Sequence, residues 1–135
     1  MQNSPLGIQD HYNMDDSEEY PSREEFLGSL WSEIINSPMQ ELWIDNAINT
    51  SQQQPDGPFG DVGPVLERLL FLGASRRDLS LVYRMASYEA VFDTLYKMAD
   101  PGIKPDGAAM LFEDLLGSDP SGLDAGPGSA PEKNA

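Results

Sequence analysis

The chain has 135 residues, no cysteine, one histidine, and 23 acidic against 8 basic residues, which gives a formal net charge of −15. The length fits one domain, and the composition lacks most of the side chains that nucleophilic, redox and zinc chemistry use, so we expect no enzyme activity and no cofactor. The negative field repels phosphate backbones and anionic lipid, so direct nucleic-acid binding and membrane binding are not expected.

The N-terminal residues form a polar, acidic stretch. Residues 1–20 show no apolar periodicity and are predicted to be a disordered arm. Residues 1–25 carry seven acidic residues and one basic residue. Such a cluster favours contact with a basic protein, and the candidate contact residues in this part of the chain are Glu18, Glu19, Glu24 and Glu25.

Two helix starts follow the acidic arm. Ser22 and Glu25 have the spacing of a capping box, and apolar residues recur every four positions from Phe26, which predicts a first helix. Ser37 followed by Pro38 predicts a second helix, because proline suits the first helical position. Each helix carries one tryptophan on its apolar face. These tryptophans are predicted either to lie in the core or to anchor a partner, and they are Trp31 and Trp43.

A loop and a third helix come next. Residues 49–60 are rich in proline, glycine and polar residues and predict a long loop. A largely apolar helix is predicted at about 63–72, with Gly73 as its C-terminal cap.

The fourth predicted helix is the longest. Ser75 and Asp78 form a cap pattern at its start, and Asp100-Pro101-Gly102 ends it, so it covers about 76–99. Its surface is apolar nearly all round, which predicts a buried central helix. A short fifth helix is predicted at about 107–116, before a tail at 117–135 rich in glycine, proline, serine and alanine.

These elements predict an all-α fold. We expect a compact bundle of four to five helices around a long buried central helix at about 76–99, with disordered N- and C-terminal arms. The predicted organisation is a disordered acidic arm at 1–20, a helical domain at 21–116 and a flexible tail at 117–135.

One carboxylate pair on the fourth helix is a further candidate site. Glu89 and Asp93 lie four residues apart and therefore share a helix face. They could contact a basic partner, act as an acid–base pair, or bind a hard cation; alternatively, they belong to a solvated strip with helical ion pairs.

The segment from Arg84 to Gly122 carries a resemblance. Its phrases RMASYEAVFDTLYKMADPG and LFEDLLGSDPSG resemble a set of small acidic bacterial proteins. The resemblance covers less than a third of the chain. It implies a bacterial source, a helical domain and an ordered turn at Asp119-Pro120-Ser121-Gly122, and it implies no activity.

The sequence therefore favours a small acidic non-enzymatic protein-binding module, located in the cytoplasm, that acts on a basic protein partner. An immunity-type inhibitor, an accessory factor and an adaptor all fit this description. One alternative is a nucleic-acid mimic that blocks a DNA-binding protein. Another is a carboxylate-only enzyme that uses Glu89 and Asp93. The oligomeric state is left open.

Overall fold

The computed structural model describes residues 20–104, 107 and 111–131. The described residues form helices and turns without a strand, which confirms the predicted all-α fold. Apart from Tyr20, the predicted acidic arm at 1–20 lies outside the described residues. The chain divides into two compact units, Met1–Ile34 and Ile35–Ala135, and each is described by itself.

The described part of the first unit is a single capped helix, α1, at Arg23–Leu30, which runs into a wider π-helical turn at Trp31–Ile35. The predicted capping box is present in both directions. The Glu25 amide donates to Ser22 Oγ (3.1 Å), and the Ser22 amide donates to Glu25 Oε1 (2.8 Å). The backbone hydrogen bond from Ser22 and its side-chain hydrogen bond lower the pKa of Glu25 below its ordinary value.

The second unit contains the remaining elements in chain order. They are a 3₁₀ helix at Ser37–Gln40, α2 at Leu42–Gln53, α3 at Val62–Phe71, α4 at Arg76–Lys97, a π-helical turn at Met98–Gly102, α5 at Leu111–Asp114 and a 3₁₀ turn at Leu116–Ser118. The helix predicted from Ser37 is thus interrupted, because Glu41 adopts a left-handed conformation with φ 65°. Gly73 caps α3 with φ 108°, as predicted.

The pair α2 and α3 forms the tightest contact of the second unit. Ser51 is buried on α2, and its Oγ accepts a hydrogen bond from the Gly63 amide of α3 (2.9 Å). This bond satisfies an amide in the first turn of α3, where no intrahelical acceptor is available.

The loop predicted at 49–60 is shorter in the structure. Its first residues continue α2, so the connection between α2 and α3 covers only 54–61.

The long helix α4 begins and ends close to the prediction. Ser75 caps it by accepting a hydrogen bond from the Asp78 amide (2.9 Å). The predicted burial of this helix is wrong for the described residues. Only Ser80 is buried on α4, while most of its large apolar side chains are exposed. The physical reason is that the 3₁₀ helix at Ser37–Gln40 and α2 cover one strip of α4 and leave the rest open.

The described C-terminal residues 117–131 form a 3₁₀ turn followed by a series of hydrogen-bonded turns. Asp119 organises this segment. Its carboxylate accepts hydrogen bonds from the Ala125 amide (2.7 Å) and from the amide and hydroxyl of Ser121 (3.0 and 2.7 Å). The Ala125 bond first, then those from Ser121, lower the pKa of Asp119 below its ordinary value.

The same segment, residues 119–126, is fastened to the loop between α2 and α3. The Phe59 amide donates to the Ala125 carbonyl oxygen (2.6 Å). Gly126 is buried, and a Cβ on it would lie 3.3 Å from the Asp56 carbonyl oxygen. We call residues 119–126 the strap. Glycine and proline make such a segment look flexible in the sequence, yet they also form tight turns once an acceptor such as Asp119 is in place.

Candidate functional site

Helix α4 carries three strips of different character along its length. The first is the packed strip, which faces the 3₁₀ helix at Ser37–Gln40 and α2. Its side chains are small or polar except for one valine, and they are Ser80, Arg84, Ser87 and Val91. Ser80 has no exposed surface and the other three are half-buried. The packed strip is thus the least exposed part of the helix surface.

Polar contacts fix the packed strip in place. The Trp43 indole Nε1 donates to Ser80 Oγ (2.9 Å), and the Trp43 ring contacts Tyr83 edge-on with centroids 4.6 Å apart. One turn further along the strip, Arg84 Nε donates to Asn36 Oδ1 (2.7 Å). Hydrogen bonds are directional, so they set the rotation of α4 about its own axis.

The second strip is the apolar stripe. Its residues follow one another at intervals of four, three, four and three positions, and they are Leu81, Met85, Tyr88, Phe92 and Leu95. All five are exposed; Met85 keeps 57% and Phe92 keeps 52% of its surface accessible. This spacing is that of a coiled-coil seam, and it lies about 100° around the helix from the packed strip. Monomeric soluble proteins rarely expose a large contiguous apolar surface.

The third strip is the acidic edge, which borders the apolar stripe on the side away from the packed strip. It consists of Glu89 and Asp93, both exposed. With Tyr88 and Phe92 these carboxylates surround a shallow hollow of about 370 Å³. The two rings lie with centroids 6.2 Å apart, and Tyr96 continues the row at 6.3 Å from Phe92. The hollow therefore combines aromatic faces with negative charge.

Two further grooves lie beside the helices of the second unit. An aromatic groove of about 500 Å³ lies between α2, α3 and α4, and Trp43, Phe59 and Tyr83 contribute its rings. A second groove of about 480 Å³ lies between α3 and the C-terminal segment, with Asp119 and Ala125 of the strap in its wall. Phe59 lines both grooves. The hydrogen bond from its amide to the Ala125 carbonyl oxygen of the strap therefore fixes a residue that the two grooves share.

The residues predicted as partner contacts fall into separate groups. Glu89 and Asp93 lie together on α4, as their spacing predicts. Trp43 is half-buried in the aromatic groove, where Ser80 and Tyr83 contact it. The remaining predicted residues belong to the first unit, where Glu24 lies in α1, Glu25 is used in its cap and Trp31 is 42% exposed. Glu18 and Glu19 lie outside the described residues.

The sequence interpretation missed the apolar stripe because α4 looks apolar on every side. The signal was nevertheless present as the alternation of three- and four-residue intervals from Leu81 to Leu95. Serines at positions 80 and 87, at the same intervals, mark where another part of the chain packs closely. Of these two surfaces, the packed strip is the one that contacts the 3₁₀ helix and α2.

Among the described residues, no group of three or more histidine, cysteine or carboxylate side chains lies together in a way that could hold a metal ion. Nor does any helix in the described part of the chain have the length and apolar character to span a membrane. The chemistry that the α4 surface does offer is apolar contact bordered by carboxylates.

Comparison with known proteins adds no assignment. No protein-family model, curated protein or solved structure matches this chain. The resemblance of residues 84–122 to small acidic bacterial proteins stays a prediction.

Proposed function

We propose that this chain is a non-enzymatic cytoplasmic protein that acts by binding a basic protein partner, as an inhibitor, accessory factor or adaptor. The observation that carries this proposal is the exposed apolar stripe of α4 with its acidic edge at Glu89 and Asp93. A folded helix that leaves five large apolar side chains in water has surface to bury against another molecule.

Binding proceeds in two physical steps. The net charge of −15 attracts a basic partner over a distance of several ångströms and raises the rate of encounter. The apolar stripe then supplies the short-range contact, in which Phe92, Tyr88 and Met85 bury most of the area. Charge therefore governs the rate of association, and the stripe governs the rate of dissociation.

The experiment that tests the proposal begins with capture of the partner on the tagged chain at low salt and elution in a salt gradient. Association of the purified pair is then followed by surface plasmon resonance. We expect the association rate constant to fall by roughly tenfold between 0.01 M and 0.15 M salt, because screening shortens the reach of the charges. A salt-independent association rate would contradict steering.

The same purified pair separates the proposal from the nucleic-acid mimic. Duplex DNA added at low salt competes for the partner if the chain occupies a DNA-binding surface. Under our proposal the partner keeps the chain when DNA is present, and substitution of the apolar stripe releases it. If DNA displaces the chain from the partner and substitution of the apolar stripe leaves binding unchanged, the nucleic-acid mimic is favoured instead.

A further inference from the structure

The shape and charge of the α4 surface restrict the kind of partner that fits it. The apolar stripe and the acidic edge run in parallel along one helix, from Leu81 to Leu95 and from Glu89 to Asp93. Fourteen residue steps at 1.5 Å each make the stripe about 21 Å long. Side chains at three- and four-residue intervals interdigitate best with side chains that repeat in the same way, and only another helix presents that repeat.

Charge selects among the helices that could lie on the stripe. A partner helix that lies on the stripe places one of its own flanks beside Glu89 and Asp93. The next basic residue of α4 after this pair is Lys97. A second copy of this chain carries 23 acidic against 8 basic residues, so the repulsion between like charges opposes its approach. A flank with lysine or arginine meets opposite charge.

The hollow beside the stripe favours a cation for a second reason. Tyr88 and Phe92 form part of its wall, with their ring planes inclined by 32°. Aromatic faces attract a lysine ammonium or an arginine guanidinium within about 6 Å of the ring, and the aliphatic stem of such a side chain packs on the same rings. The carboxylates of Glu89 and Asp93 then complete the contact.

We propose that the partner docks through one basic amphipathic α-helix, whose apolar face covers the stripe of α4 and whose lysine or arginine side chain enters the hollow between Tyr88, Glu89, Phe92 and Asp93. This inference rests on the proposed function, since it names the partner segment for the same surface. It adds that the recognised element is a helix and that two carboxylates and two aromatic rings bind a positively charged side chain on its flank.

A pair of synthetic peptides tests this inference without knowledge of the natural partner. Both peptides are helices with the same leucine stripe at three- and four-residue intervals; one carries lysine along the flanks and the other carries glutamine. We expect the lysine peptide to bind the full chain roughly tenfold more tightly at low salt, as measured by fluorescence anisotropy. Equal affinities for the two peptides would overturn the inference.

Variants distinguish the hollow from the net charge of the chain as the source of the lysine preference. In Glu89→Gln/Asp93→Asn the lysine preference disappears while binding of the glutamine peptide is unchanged. Glu67→Gln/Glu113→Gln is the matched control, because it removes two exposed carboxylates from other helices and leaves the preference intact. If both double variants weaken the lysine peptide equally, only net charge is being sensed and the hollow is not the site.

Different experimental results would contradict the proposed function itself. If Met85→Ser/Phe92→Ser binds both peptides as the natural chain does, the stripe is not the docking surface and both proposals fail. If sedimentation shows the chain alone forming dimers that the same variant abolishes, a second copy occupies the stripe, which overturns the basic-helix inference.

Discussion

Replacing Met85 and Phe92 together by serine is expected to weaken binding of the natural partner by about 100-fold or more. Each side chain exposes over half of its surface in the free chain. Truncating a central apolar anchor typically costs about 2 kcal/mol of binding energy, and each 1.4 kcal/mol is tenfold in affinity. The change is measured as the dissociation constant of the purified complex, with the loss appearing mainly as faster dissociation.

The same variant should fold normally, because neither side chain contributes to the buried core. The expected effect on stability is within about 0.5 kcal/mol, and the far-ultraviolet circular dichroism spectrum stays the same. The control is Phe71→Ser/Leu72→Ser, which removes two exposed apolar side chains at the end of α3. An equal loss of partner binding in the control would show that α4 has no special role.

Gly63→Ala is expected to destabilise the second unit by about 2–4 kcal/mol. A Cβ at Gly63 would lie 2.5 Å from Ser51 Cβ and 2.6 Å from Ser51 Oγ, so α2 and α3 have to separate. Separation costs about 1–3 kcal/mol of packing and also breaks the buried bond from the Gly63 amide to Ser51. The better helix propensity of alanine, about 1 kcal/mol, offsets only part of this loss.

Urea unfolding monitored by tryptophan fluorescence measures the effect, since Trp43 lies on α2. Gly117→Ala is the matched control, because nothing lies within 4 Å of a Cβ at that position. Its unfolding midpoint should match that of the natural chain. A Gly63→Ala variant with an unchanged midpoint would mean that the two helices do not approach as closely as the structure has them.

Local signals in the sequence account for the helix ends that were predicted well. The caps at Ser22 and Ser75 act within one helical turn, through hydrogen bonds to amides three residues away. Proline and glycine after Asp100 act at equally short range. Such signals need no knowledge of the rest of the fold, which is why the long helix was placed to within two residues at its end.

Burial and long-range contacts were not predictable in the same way. The sequence of α4 shows many apolar residues but does not show how few neighbours reach them, so its predicted burial was wrong for the described residues. The strap depends on Ala125 meeting Phe59, far away in sequence, and no local pattern encodes that bond. The carboxylate pair Glu89 and Asp93 was found from helical spacing, while the hollow that it forms with Tyr88 and Phe92 was not predicted.

Cysteine accessibility tests the central claim, which is that the apolar stripe of α4 is exposed to solvent and its packed strip lies against the 3₁₀ helix and α2. The natural chain has no cysteine, so single substitutions report one position each. Met85→Cys, Phe92→Cys and Ser80→Cys are reacted with a thiol reagent in the folded chain. We expect rapid modification at positions 85 and 92, and modification at position 80 only upon unfolding. Protected thiols at 85 and 92 together with a reactive thiol at 80 would contradict the central claim.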